Sequence, residues 1–452
     1  MGVPTLLQRK DLDVSHSISG CASCASACAV FAIDGFHVTG VVARADVLVL
    51  DIETGHDAVG CPGCGVLAEG RGRRVHELAD APAFGLPVRV RWSKRLWRCH
   101  EGGCSVRTFS ETHPFAMARA KVTARAVGWA VGMLQTDDTT VAALARRLRV
   151  GWHTLWRAIA QHAGDGLDDP DRLGGVVTLG VDEHIWKPSR RGYDRAVTSM
   201  VDLTRDEHGQ VRARLLDVVP GRSGTAYAAW LRTTPEGFVP TVEHAALDPF
   251  RGYANAIRDE LPDAVAVLDA FHVVRLGVKA LDEVRQRVQQ DTLGHRGRKG
   301  DPLYAIRGLL RHGAEHLTER QHARLRAALV AGDPTCEVEI AWHCYQQLRS
   351  VYHQDRAADG RLIAEQILDG FHTCPIPEIA RLGRTLRNWR QQFLAYFDTG
   401  GVSNGGTEAI NLIIEKTRRL AHGFRNFNNY RLRILLAAGG HKPWRTTATP
   451  AS

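Results

Sequence analysis

The spacing of apolar and polar residues changes several times along the chain, and each change marks a predicted element. Residues 31 to 56 alternate, as in FHVTGVVARADVLVLDI, which predicts a β-hairpin. From Ala116 to His162 the spacing turns helical. Within it, TTVAALARRLRVGWHTLWRAIAQH predicts two short helices around a turn at Val150-Gly151. Thr139 or Thr140 caps the first, and Trp152 or His153 starts the second. The acidic, glycine-rich GDGLDDPDRLGG at 164–175 reads as a linker. Behind it, Val176-Val177-Thr178-Leu179 forms a buried strand that delivers Asp182, Glu183 and His184 in a row. Strands follow at about 196–203 and 212–220, then a Ser-capped helix at 223–233. A strand at 241–247 ends in Asp248, the helix RGYANAIRDEL follows, and a strand at 264–268 ends in Asp269. From Arg275 to about Tyr396 apolar residues recur at helical spacing between Gly and Pro turns. A further helix begins at Ser403 or Asn404, and a turn at Gly423-Phe424-Arg425-Asn426 precedes the closing one.

Composition narrows the partner class. The 452 residues allow two to four domains with a large core, and 44% hydrophobic with 24% charged residues is ordinary for a globular chain. A formal charge of +9, mostly from arginine, favours a polyanion, nucleic acid before membrane. No apolar run approaches the ~20 residues of a transmembrane helix, and the N-terminus lacks the apolar stretch of a signal peptide. The ten cysteines are therefore expected to be reduced or metal-bound in a cytoplasmic protein.

Four of those cysteines have ligand spacing. Cys61 and Cys64 flank a Pro-Gly turn, and Cys99 and Cys104 answer them after a strand, VRVRW. Paired thiolate knuckles of this kind suit tetrahedral zinc, so a zinc ribbon is expected, with His100 as a competing ligand or a nucleic-acid contact. Cys21, Cys24 and Cys28 share a helix face but lack a fourth ligand and read as free thiols. The helical pair beyond is expected to be a helix-turn-helix whose Arg146, Arg147, Arg149 and Arg157 face DNA, the alternative being a helical hairpin with a solvated basic face. The glycine-rich HRGRKGDP at 295–302 suits a phosphate track or an ordinary solvated loop. Trp342 and Trp389 are expected in the core rather than stacked on bases.

The element order from Val176, β-β-β-α-β-α-β, is that of ribonuclease-H-like folds. There the first and fourth strands adjoin, which brings Asp182 and Asp248 together. Carboxylates so placed bind Mg²⁺, and two ions ~3.5–4 Å apart can serve both oxygens of a phosphodiester displacement. Asp269 is the rival second carboxylate. Glu408 lies in the first turns of its helix, and Glu415, seven residues on, is its rival.

The segments VDEHIW, LDPFRGY, DAFHVVR and SNGGTEAINLIIEKTRRLAHGFRN together resemble the DDE transposases of bacterial insertion sequences, in the ISL-three family, over roughly residues 30 to 440. The resemblance implies catalytic roles for Asp182, Asp248 and Glu408 as ligands of two Mg²⁺ (or Mn²⁺), and a companion motif beside the site at Asp269 and His272. The family's Asn then falls at Asn411 and Glu415 departs from its pattern, with Lys416, Arg418 and Arg419 expected to contact phosphates. Structural Zn²⁺ in the cysteine knuckles, double-stranded DNA (the element's terminal inverted repeats and its target) and a homodimer or larger assembly on nucleoid DNA complete the expectation. The expected fold is α/β and multidomain: an N-terminal segment (1–56), zinc ribbon (57–112), helix-turn-helix (113–165), ribonuclease-H-like mixed-sheet core (176–274), all-helical insertion (275–398), final core helices (399–440) and a tail (441–452). The competing functions are a DNA-binding regulator derived from an inactive transposase and a nuclease without strand transfer.

Overall fold

The computed structural model describes residues 25–55, 58–167, 169–187 and 195–440. Cys21, Cys24 and the tail after Gly440 lie outside them. The chain is mixed α/β, with two mixed sheets and fifteen α-helices among the described residues. It divides into two compact units, one within residues 1–134 and 139–162, the other within 135–138 and 163–452.

In the first unit, α1 (Ala25–Phe31) leads into the hairpin β1 (Phe36–Ala43) and β2 (Leu48–Thr54). A long second hairpin, β3 (Glu69–Ala83) and β4 (Leu86–Arg98), turns at Phe84-Gly85, where both residues have positive φ as a two-residue hairpin turn requires. The sheet order is β1-β2-β4-β3, with β2 and β4 parallel and β5 (Thr108–Ser110) against β4. The alternation that predicted the hairpin buries Phe36, Val38, Leu50 and Ile52 against Val90 and Trp92. Beyond the sheet run α2 (Ala124–Thr136), α3 (Val141–Leu148) and α4 (Trp152–Leu167). Asp80 of β3 is fully buried and accepts from the Thr123 hydroxyl at 2.6 Å, which fixes the start of α2. Thr140 caps α3, accepting from the Ala143 amide at 3.1 Å, and Arg149 ends it in the left-handed conformation. The stretch expected to be a linker is partly ordered instead. Helix α4 reaches Leu167, and the Asp169 carboxylate caps a 3₁₀ turn at Pro170–Leu173, accepting from the Asp171 amide at 3.0 Å.

In the second unit, β6 (Thr178–Ile185), β7 (Ala196–Asp202) and β8 (Arg214–Pro220) form an antiparallel run. Helix α5 (Gly224–Leu231) leads to β9 (His244–Leu247), and α6 (Arg251–Glu260) to β10 (Val265–Leu268). The order is β10-β9-β6-β7-β8, with β10, β9 and β6 parallel, as the strand pattern predicted for the first and fourth strands. One face of the sheet packs Leu179, Val181 and Leu247 with α5 and α6. The other packs Val197, Val201 and Val267 with α14 (Gly405–Leu420) and α15 (Phe427–Ala438).

Between β10 and α14 every regular element of the described chain is helical: α7 (Ala270–Leu293), α8 (Pro302–Ala305), α9 (Glu319–Gly332), α10 (Glu337–Ser350), α11 (Ala357–Gly370), α12 (Pro377–Asn388) and α13 (Arg390–Asp398), with short 3₁₀ turns. Their apolar faces continue the core of the sheet, and Trp342 and Trp389 are 7% and 4% exposed, in that core as expected. Among the described residues, no helix is long and apolar enough to cross a membrane.

Two close approaches fix where the helices sit. A Cβ on Gly180 would lie 2.5 Å from the Thr407 hydroxyl and 2.7 Å from Asn404 Oδ1, so the start of α14 lies directly on β6. A Cβ on Gly224 would lie 2.1 Å from the backbone oxygen of Gly252, where α5 and α6 cross at their first turns. Backbone cannot swing aside as a side chain can. Gly224→Ala is therefore expected to destabilise the second unit by about 1–3 kcal/mol, read as a lower urea midpoint.

Candidate functional site

Parallel strands expose their last residues at one sheet edge, and here three acids follow one another there. Val181 pairs with Leu247 and Leu247 with Leu268, so the next residues, Asp182, Asp248 and Asp269, stand side by side on β6, β9 and β10. Such a crevice at the carboxyl ends of parallel strands is where α/β sheets place ligands. A cleft of about 580 Å³ opens over them, lined by Asp182, Glu183, Asp248, His272, Glu408 and Asn411, with Arg222, Arg275, Phe250 and Phe271 at its walls.

The three strand-end acids differ in what they have left to offer. Asp269 is 2% exposed and fully engaged: Oδ1 accepts from the Asn404 amide at 2.8 Å, while Oδ2 accepts from the amide and Nδ1 of His272 at 3.1 and 2.9 Å. Burial works against its charge, but these hydrogen bonds hold its carboxyl below the usual range. Asp269 also caps α7 and is absent from the cleft lining. Asp248 faces the cleft. Its Oδ2 lies 2.9 Å from His272 Nε2, and its Oδ1 is buried without a hydrogen-bond partner. Asp182 takes the Glu183 amide on Oδ1 at 2.7 Å and the Asn411 amide group on Oδ2 at 2.6 Å. Burial first and the neighbouring Asp248 charge second push its carboxyl up to about 7.

His272 stands between Asp248 and Asp269 and touches both. Burial opposes its protonation, yet the two carboxylates prevail and raise it to about 10. A doubly donating imidazolium there balances one of the charges that the strand ends bring together. Glu408, in the first turn of α14, is exposed to the cleft, and its carboxyl is raised by desolvation and then by Asp269. Glu183 pairs with Arg222 at 2.5 Å, and burial leads the causes that raise its carboxyl. His184 points away to the Tyr430 hydroxyl, and burial lowers it to about 4.

Glu415 is elsewhere. Hydrogen bonds from Arg418 and Arg419, at 2.7–2.8 Å, hold its carboxyl down at about 2, and it does not line the cleft. Hard oxygen donors that repel one another, one of them buried without a donor, have the chemistry of a divalent-cation site, and ligand atoms of Asp248, Asp269 and His272 lie within 4.8 Å of one another.

The second constellation lies in the first unit. Cys61, Cys64, Cys99 and Cys104 bring their sulfurs within 4.8 Å of one another, with Cys61–Cys104 at 3.7 Å and Cys64–Cys99 at 3.6 Å. A tetrahedron with ~2.3 Å metal–sulfur bonds has edges of about 3.8 Å, so the cluster fits a zinc ribbon. The Gly63 and Val106 amides point at Cys61 and Cys104 sulfurs at 3.4 and 3.3 Å, as thiolate acceptors invite. His100 turns away to Glu69.

Among the basic residues, Arg146, Arg147 and Arg157 are exposed on α3 and α4. Arg149 is held by Asp46 at 2.8 Å, Lys416 pairs with Asp138, and Arg418 and Arg419 are taken by Glu415. Sequence reasoning placed Asn411 by resemblance and Asn404 at a helix start without assigning either a contact, and it did not single out Arg222, whose only signal was its place before a Ser-capped helix.

Because the folded imidazole titrates near 10, above its ordinary 6.5, its stabilisation is complete below about 6.5 and disappears as pH rises through 10. His272→Gln should therefore cost the most stability at pH 6 and progressively less towards pH 10, measured by chemical denaturation of both proteins in magnesium-free buffer.

Comparison with known proteins shows the family. A family model described as a transposase matches residues 179–434, and one described as the helix-turn-helix domain of transposase family ISL3 matches residues 111–163. The transposase for insertion sequence element IS1557 of Mycobacterium tuberculosis is 26% identical over 350 residues, covering 70% of this chain and 75% of that one. The transposase for insertion sequence element IS1001 of Bordetella parapertussis is 25% identical over 392 residues, covering 84% and 89%. With the first match spanning more than half of its length, the chain belongs to the ISL3 family of DDE transposases.

Proposed function

We propose that this transposase binds the terminal inverted repeats of its insertion sequence and carries out Mg²⁺-dependent strand cleavage and strand transfer on a ribonuclease-H-like core. The observation that carries the reading is convergence. Asp182, Asp248 and Glu408 come from β6, the end of β9 and the first turn of α14, and all three line one cleft. In this reading they hold two Mg²⁺, with Mn²⁺ as a substitute, and Asp269 and His272 support them. Divalent ions bound there supply activation of the attacking oxygen and neutralisation of charge on the scissile phosphate. The chain's own residues position the ligands: Asn411 orients Asp182, and His272 orients Asp248 while Asp269 anchors His272.

The remaining parts follow the same reading. Residues 176–274 and 399–440 form the core, 275–398 the helical insertion, 57–112 a ribbon holding structural Zn²⁺ through Cys61, Cys64, Cys99 and Cys104, and 113–165 the helix-turn-helix. Arg146, Arg147 and Arg157 are its foremost phosphate contacts, since they have no ion pair among the described residues. For Arg149, Lys416, Arg418 and Arg419 a phosphate has to displace Asp46, Asp138 or Glu415. Holding two element ends at once calls for a homodimer or larger assembly, working in the cytoplasm on nucleoid DNA.

The test is incubation of the purified protein with Mg²⁺ and labelled duplex carrying the inverted repeats that flank its gene. Cleavage followed by joining is expected. Cleavage alone points to a nuclease, and binding without either to a regulator. Asp182→Asn, Asp248→Asn and Glu408→Gln should each lower cleavage by on the order of 10²–10³-fold with end binding kept, and Glu415→Gln should retain it. An Asp182→Asn protein that still cut at the wild-type rate would falsify the site. Elemental analysis should find one zinc per chain, lost in Cys99→Ser together with thermal stability.

A further inference from the structure

The catalytic cleft does not end at its acids. A groove of about 450 Å³ continues from it along α7, sharing Pro249, His272 and Arg275 with the cleft and passing Leu276, Lys279 and Arg311. The exposed edge of α7 above this groove has a regular composition. Phe271, Arg275 and Lys279 recur every four residues, which puts them on one helix face about 6 Å apart along the axis.

Each of these side chains is unusually available. Phe271 is 54% exposed at the cleft wall, its ring edge-on to His272 at 5.4 Å, whereas Trp342 and Trp389 are buried in the core as expected. Arg275 is exposed and has no hydrogen bond or ion pair among the described residues. Lys279 lies 3.9 Å from Glu283, a carboxylate already engaged by Arg381, so most of its charge remains free. Arg311, 3.9 Å from Asp282, a carboxylate already bound by Arg285, is in the same position at the far end of the groove.

We propose that this face of α7 is a positioning strip for the DNA strand flanking the scissile phosphate. Phe271 stacks on the base next to the cut, and Arg275 and Lys279 take successive phosphates leading away from it. The inference rests on the reading of the cleft as the cutting site. The chemistry is complementary at both points: an exposed ring offers an apolar face to any base, and exposed cations at one-turn spacing suit a run of phosphates. The strip specifies no sequence, so it acts on substrate placement rather than on recognition of the ends.

The experiment uses the full chain with the duplex carrying its flanking inverted repeats, 2-aminopurine being placed on either side of the cut. Complexes assembled in Ca²⁺ report base stacking by fluorescence, and addition of Mg²⁺ reports single-turnover cleavage. Phe271→Ala is expected to abolish the fluorescence change at one position and slow cleavage at least tenfold, with Phe271→Tyr restoring both. Arg275→Gln with Lys279→Gln is expected to reduce the slope of log affinity against log salt by about 1.8, at ~0.9 per phosphate contact. If wild type cleaves while these variants match it in fluorescence, rate and salt slope, the strip is wrong and the cleft stands. Absence of Mg²⁺-dependent cleavage by wild type overturns the reading of the cleft and the strip with it.

Discussion

A single imidazolium, that of His272, lies at the centre of the second unit. Strand order forces Asp248 and Asp269 onto neighbouring strand ends, where two carboxylates in a partly buried setting repel each other. His272 donates to both, and Asp269 in turn accepts the amide of Asn404 that opens α14. One proton thus ties together β9, β10, the start of α7 and the start of α14. With Asp269 saturated by these contacts, Asp248 is the member of the pair left facing the cleft.

The sheet and the insertion share a core, so the cleft is backed by far more than its own strands. Leu247 and Leu268 pack into the same apolar cluster as Leu348 and Phe393 of the helical segment. That continuity explains how α7 can start within a residue of a strand end and still be held rigidly. Its first turn is capped by Asp269, and Gly277 lets α10 approach, since a Cβ there would lie 2.9 Å from Leu348.

Much of this was legible in the residues. Apolar runs ending in acids located β6, β9 and β10, because a buried strand must be apolar and its end need not be. The cysteine knuckles were legible because few arrangements other than a metal site space four thiols in turn-bounded pairs. The links between distant segments were not. Asn404 reaches Asp269 across 135 residues and Val181 across 223, and Asn411 reaches Asp182 across 229. A polar side chain on an amphipathic helix looks the same in sequence whether it faces water or a carboxylate. The long strand β3 was also missed, since its first half, EGRGRR, is exposed and carries two glycines, giving no apolar alternation to read.

Gly180 carries a consequence for the order in which the molecule becomes competent. Its bare backbone is the seat for α14, which is synthesised only after the whole helical segment. Until then the nascent chain holds Asp182 and Asp248 but not Glu408, while its first unit is already complete. A gene copy broken between the codons for Ala163 and Gly405 therefore encodes the whole first unit and an unfinished cleft.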